Sequence, residues 1–463
     1  MRVRGERHPL QQPVPDRAVV LVAVTLVLAV GVGWVVGAAG AIVAVLARSR
    51  PALVGACVLA VLLGTVLGHR AWQQATPRHL GRYTGWVEII GDPAPFGNGL
   101  RTTVQIDGER FDAWLYGAPR RKLMDRQGGD FVWVDGRRGR STGAVRRAQV
   151  RHVVGRFEVT TTGDVVEGSA LARASNRVRH ALRASAEATM PADDAALFAG
   201  LVIGDDARQP DWMLTDFRAS GLSHLTAVSG QNVAFLLAAA LPLLRRLRPW
   251  WRWGATLALI GWFMAMTRFE PSVLRAGVMA MLAATAYVRG QQVRPVRLLA
   301  SAVILLVLLD PLLVWSVGFW LSVGATAGVC VVGPWLEPRL PGPAWLRLPM
   351  AVTLGAQAGV AVPSLLVFHR LPVVSVPANL LAVPVAGFVM LYGLPAGLLA
   401  SWLPATAMRI VMVPAVVGTR WVSLVAHVAA AVEPGPVWSA AIWSIAALLL
   451  ARWMWRRGRG VPI

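Results

Sequence analysis

Cysteine is nearly absent from this 463-residue chain, and the two present, Cys57 and Cys330, lie far apart in apolar segments. Neither a disulfide framework nor a thiolate metal site is suggested. Lysine occurs once, at Lys122, and 24 Asp plus Glu face 46 Lys plus Arg, so the formal charge of +22 is almost wholly arginine. None of the eight histidines lies within four residues of another, so the clustered His and Asp pattern of a metal-dependent hydrolase is missing. A glycine-rich loop followed by Lys-Ser or Lys-Thr is also missing, and the chain does not couple nucleotide hydrolysis to anything by itself. What abounds is apolar sequence: 55% hydrophobic residues, 20 Trp and a mean hydropathy of +0.53. The composition is that of a polytopic membrane protein. Nucleic acid or anionic lipid would each suit the positive charge, but arginines at helix ends are first of all what the positive-inside rule demands.

The amino terminus carries Arg2, Arg4, Arg7 and Arg17 before "AVVLVAVTLVLAVGVGWVV". Further apolar stretches come at once, so this is read as an uncleaved first span and not a signal peptide. Residues 1–68 hold three apolar stretches (18–34, 35–47 and 52–68), and with the amino terminus inside, the chain beyond residue 68 emerges on the outer side. Residues 69–168 lose all long apolar runs; short alternating segments such as "GWVEIIG" and "DFVWVDGRRGR" are separated by Gly, Pro and Asp. This is the pattern of a small half-buried β domain, and five or so strands suit an OB-like barrel. Between residues 69 and 190, 20 Arg plus Lys stand against 12 Asp plus Glu. Trp114, Arg120, Arg121, Lys122, Trp133, Arg137 and Arg138 are the candidate contacts for an external single strand; a solvated basic surface near anionic headgroups is the plainer alternative.

Residues 169–227 read as amphipathic and interfacial helices. "LARASNRVRHALRASAEATM" (171–190) has the look of a helix lying on a membrane surface, and the apolar run within 193–206 is too short to span. From 228 to 463 nine crossings are expected, with the arginine clusters at 245–253, 289–297, 337–347 and 452–460 all inside. Pro377, Pro384 and Pro395 lead to the expectation that 374–403 is a broken helix lining a cavity. The expected fold is thus a polytopic α-helical membrane protein of about twelve spans, with a small external β domain inserted after the third and both termini cytoplasmic.

Three stretches concentrate polar groups where lipid is expected. "FRASGLSHLTAVSGQNVAF" (217–235) places Arg218, Gly221, His224, Ser229, Gly230, Gln231 and Asn232 at the start of a span. Ser229 is explained by helix capping; Arg218, His224 and Asn232 are not. "PSVLRAGVMAML" (271–282) sets Arg275 one turn inside a helix, at a depth where a cation usually faces the bundle interior or water, with Ser272 three residues before it. "DPLLVWSVGFWLSVGATAG" (310–328) spaces Gly318, Ser322, Gly324 and Gly328 in the manner of membrane helix packing.

These runs, together with "LFAGLVIGDD" before them and "VPANLLAVPVAGF" after them, resemble in their order the competence domain of the ComEC family, over about residues 195–390. The resemblance implies an inner-membrane channel that carries single-stranded DNA into the cytoplasm during natural transformation. On that reading Asp205, Arg218, Gly221, His224, Ser229, Gly230, Asn232, Ser272, Arg275 and Asn379 mark the path. Gln231 and Asn232 stand where many members have Leu-His, which puts a role for a second imidazole in doubt. The metallo-β-lactamase-like domain of many members is not expected within this sequence, so strand degradation would fall to a separate nuclease. An external DNA receptor, a cytoplasmic ATPase and membrane lipid complete the implied partners; no cofactor, metal or catalytic group is expected. On physics alone a small-anion or solute transporter suits the same pattern. A membrane-embedded hydrolase using Ser229 or His224 lacks an identifiable base and orienting carboxylate.

Overall fold

The computed structural model describes residues 15–46, 51–226 and 230–435, and scattered residues between 437 and 452. Three apolar helices open it: α1 (Asp16–Gly31), α2 (Trp34–Leu46) and α3 (Pro51–Gln74). A closed β barrel comes next, made of β1 (Gly81–Ile89), β2 (Ala94–Phe96), β3 (Gly99–Ile106), β4 (Glu109–Leu115), β5 (Phe131–Arg140) and β6 (Val153–Val166), with α4 (Gly117–Leu123) and α5 (Val145–Val150) in its connections. The strand order is β1-β5-β6-β4-β3, and β1 pairs back onto β3 to close five strands, leaving β2 as a flap on β3. All pairings are antiparallel except β4 with β6.

Local sequence explains the barrel. Asp107 and Gly108 join β3 to β4 with φ of 49° and 81°, the positive pair that a two-residue hairpin turn demands. Leu100, Thr102, Val104 and Ile106 alternate inward along β3 and meet Phe111, Ala113 and Leu115 of β4, with Val132, Val134 and Phe157 opposite. That period of two is the signal that the sequence carried.

The helical part comprises α6 (Ala170–Thr189), α7 (Ala192–Ile203), α8 (Asp211–Ala219), α9 (Ser223–Thr226), α10 (Gly230–Leu244), α11 (Pro249–Met266), α12 (Pro271–Val288), α13 (Pro295–Leu309), α14 (Val317–Leu336), α15 (Ala344–Phe368), α16 (Ser375–Ala400) and α17 (Ala405–Val432). Of the twelve crossings expected, five helices among the described residues, α3 and α14 to α17, are long and apolar enough to cross a membrane. Gly230–Leu244, Ser272–Val288 and Pro295–Leu309 are apolar but shorter. The connections after α10, α12 and α14 carry Arg245, Arg246, Arg289, Arg294 and Arg339 at one end of the bundle, and Arg294 reaches Asp16 at the start of α1 at 3.5 Å. The barrel sits at the other end.

Two expectations change. The segment 375–400 is one continuous helix despite Pro384 and Pro395. In apolar surroundings an interrupted backbone is costlier than a strained one, and the glycines read as breaks are notches for neighbours. A methyl on Gly387 would collide with the Phe235 ring of α10, and one on Gly393 would lie 2.6 Å from the Phe198 ring of α7. Helix α6 does not simply float on lipid. Ser175, Arg179, Leu182, Ser185 and Ala186 form a buried stripe, and the Ser185 hydroxyl donates to Gly397 O of α16 at 2.8 Å. Gly324 and Gly328 do the packing expected of them: a methyl added to either would run into the carbonyl of Gly359 or Gly355 on α15.

Candidate functional site at the barrel end of the bundle

The barrel is locked to the helices by a carboxylate that pattern reading did not single out. Asp92, in the β1–β2 loop, accepts from Arg179 Nη2 of α6, from Arg183 Nη2 at 3.3 Å, from Arg268 Nη2 at 3.0 Å and from the Gly128 amide at 2.9 Å. Arg179 also donates to Ile203 O and Met266 O, both at 3.1 Å. Asp205, a candidate path residue, takes Arg183 Nε at 2.6 Å, so three guanidiniums share two carboxylates. Burial works to raise the Asp92 pKa, but Arg179, Arg268, the Gly128 amide and Arg183 outweigh it and hold the group well below the usual carboxylate range. A second tie joins His152 Nε2 to Asp310 Oδ2 at 2.9 Å.

Just past Arg268 the chain enters α12, which brings Ser272 and Arg275 beside Gly230 and Gly318. A methyl on Gly230 would lie 2.9 Å from Ala276 Cβ and 3.7 Å from Ser272 O, so α10 starts against the first turns of α12. On another side Arg275 Nη2 donates to Gly318 O at 2.9 Å, with its guanidinium 5.7 Å from the Phe319 ring. Arg275 is 6% exposed.

The remaining path candidates gather at α9, α10 and α16. Gly221 has φ of +74°, and a methyl there would lie 2.6 Å from Ser375 Cβ, so only glycine lets the α8–α9 link approach the start of α16. Asn379 donates to Ser375 O at 2.6 Å, and Gln357 of α15 donates to the Ser375 hydroxyl at 2.7 Å. Asn232 donates to Leu201 O at 3.2 Å. His224, Gln231, Asn232 and Phe235 line a small cavity closed by Val383 and Gly387 of α16. Arg218 is exposed in the last turn of α8, away from this cavity's lining. Ser229 lies outside the described residues.

Residues 201–457, which include α9 to α17 and this whole polar cluster, match the family described as Competence protein, over more than half of the chain. The chain belongs to the competence protein family. It is 30% identical over 224 residues to ComE operon protein 3 of Bacillus subtilis (strain 168), a match taking in 48% of this chain and 28% of that protein. It is 26% identical over 213 residues to the uncharacterized protein YcaI of Escherichia coli (strain K12), taking in 42% of this chain and 28% of that protein. The chain therefore spans less than a third of the length of these relatives. No solved structure matches.

The barrel of this competence family chain precedes the matched region, and its candidate contacts separate onto different faces. Trp133 and Arg137 point outward on β5, and Trp133 pairs across the strands with Trp86 of β1, ring centroids 5.8 Å apart. Arg138 is turned away, bound to Asp107 at 3.0 Å and lying over the Tyr83 ring at 5.0 Å. Trp114 of β4 lies under the guanidiniums of Arg101 and Arg156, at 5.5 and 4.7 Å. Arg120, Arg121 and Lys122 sit on α4, with Arg120 donating to Asn98 O at 3.4 Å. Trp86 was missed by sequence reasoning, although the alternation of "RYTGWVE" in β1 placed it on an outer face.

Proposed function

We propose that the chain is a multi-pass plasma-membrane conduit that admits single-stranded DNA during natural transformation, with both termini cytoplasmic and an OB-like barrel outside. The observation that carries this reading is the cavity between α10 and α16, to whose lining His224, Gln231 and Asn232 contribute hydrogen-bonding groups beside apolar Leu201, Leu225, Phe235 and Val383. Hydrophilic surface at membrane depth belongs to a path for a polar solute. The competence family to which the chain belongs, and its likeness to ComE operon protein 3, support DNA as that solute. Barrel topology supports the OB-like reading: five closed strands, the third and fifth of them, β4 and β6, parallel, and a helix after β4. The arginines of the loops opposite the barrel support the sidedness. The role is conduction, with strand degradation, capture and energy supplied by a nuclease, a receptor and an ATPase.

In this conformation the path is shut, because the Phe235 ring fills the notch at Gly387. Passage requires α10 and α16 to part. Uptake of labelled DNA in a transformable strain tests the proposal: His224→Ala is expected to reduce uptake and transformation at least about tenfold, the worth of one charge-assisted hydrogen bond, at unchanged membrane abundance. Undiminished uptake would remove the α9–α10 cavity from the path. Anion flux into proteoliposomes in the absence of DNA, sensitive to the same substitution, would favour the small-anion carrier instead.

A further inference from the structure

Arg275 stands where three helices begin. α10, α12 and α14 start at Gly230, Pro271 and Val317, all at the barrel end. Gly230 abuts the first turns of α12, and Arg275 reaches from α12 to the first turn of α14. First-turn amides have no acceptor within their own helix, and the helix dipole adds partial positive charge there. Val314 O, four residues before the Gly318 amide, receives the Trp320 indole at 2.8 Å. A methyl on Gly318 would meet only Ser316 Oγ, at 3.8 Å, so the space beside its α-carbon is open.

The Arg275 side chain is the second observation. It is more than nine-tenths buried, its Nε and Nη1 have no hydrogen-bond partner, and among the described residues no carboxylate lies within ion-pair distance, Glu270 before α12 acting on it only from longer range. A buried guanidinium kept only for structure is normally given a counter-ion. Here the free donors sit next to a helix amino terminus, an arrangement suited to a tetrahedral oxyanion.

We propose that Arg275 and the first turn of α14, at Val317 and Gly318, form a binding site for one phosphate-type anion at the barrel end of the bundle. Two bearers have this chemistry, the phosphodiester of a strand and the headgroup of a lipid. The conduit reading makes the strand the bearer; the site itself stands on the geometry alone.

Binding to the full chain in a phosphate-free sugar detergent tests the site, with three probes: inorganic phosphate, a short oligothymidylate and short-chain phosphatidylglycerol. Arg275→Gln is expected to weaken inorganic phosphate binding about tenfold or more, since it removes charged hydrogen bonds. Arg275→Lys should restore part of it. Gly318→Leu, which fills the open space and leaves Arg275 in place, should also abolish it, and thermal unfolding of each ligand-free variant reports whether it is folded. Phosphate binding that is the same in wild type, folded Arg275→Gln and folded Gly318→Leu would overturn the site. If oligothymidylate loses affinity in Arg275→Gln and displaces phosphate, the strand is the bearer. If only phosphatidylglycerol does so, the site stands, the strand assignment is overturned, and the conduit must run elsewhere.

Discussion

Arg179 and Arg275 are 3% and 6% exposed, both near the barrel end of the bundle, and they are satisfied in opposite ways. Arg179 donates to Asp92 and to two carbonyls, leaving only Nε without a partner. Arg275 donates to one carbonyl and leaves both Nε and Nη1 without one. The same side chain at the same depth thus serves as a rivet in one place and as an open donor set in the other. Burial alone does not separate the two roles; the count of unspent donors and the presence of a carboxylate do.

Removing the anion from the first arginine should therefore do far more than neutralising the second. Asp92→Ala leaves Arg179, Arg183 and Arg268 around an empty centre, and breaking a buried ion pair from one side costs about 3–5 kcal/mol. A large fall in thermal stability is expected, with the barrel released from α6 and the α11–α12 turn. Arg275→Gln removes a charge that makes no close ion pair, Glu270 acting on it only from longer range, so its effect on unfolding should be below about 1 kcal/mol. Equal destabilisation by the two substitutions would make Arg275 another rivet and end the contrast.

Acid probes the same latch more gently. Asp92 is held below its unfolded pKa, so its contribution is complete above the unfolded carboxylate value near pH 4 and is lost only as pH falls through the depressed value. Hydrogen exchange at the Gly128 amide, which donates to Asp92, is expected to stay slow at about pH 4. Opening of that amide between about pH 5 and 4 would mean that another group governs docking.

The two arginines also differ in how far they could be read from the sequence. Arg275 is conspicuous because it interrupts an apolar helix, and its depth comes from counting along one segment. Arg179 gives no such signal: its carboxylate lies 87 residues away, and Asp92 meets Arg268 across 176. In "LARASNRVRHALRASAEATM" its charge counted toward a polar face that was read as wet, and no local pattern says that this face is dry. The barrel was legible for the opposite reason, since alternation acts between neighbours in sequence. Helix α16 was misjudged because prolines were weighed by their intrinsic cost, whereas Phe198 and Phe235 packing into its glycines decides its course.

On the barrel a similar contrast holds between two tryptophans, Trp133 and Trp114. Trp133 is 40% exposed and Trp86, its cross-strand partner, 42%, with the exposed Arg137 on the same face of β5. Among the described residues neither ring carries a guanidinium, while the Trp114 ring already carries Arg101 and Arg156. Stacking contributes about 1–3 kcal/mol per base, so Trp133→Ala should weaken oligothymidylate binding to the full chain by about that amount. Trp114→Ala should weaken it less, because a base would first have to displace a guanidinium from the ring. The reverse order would assign the strand to the β4 face. Loss of affinity that is equal for the two, and that vanishes in high salt, would reduce the barrel to a basic surface without stacking.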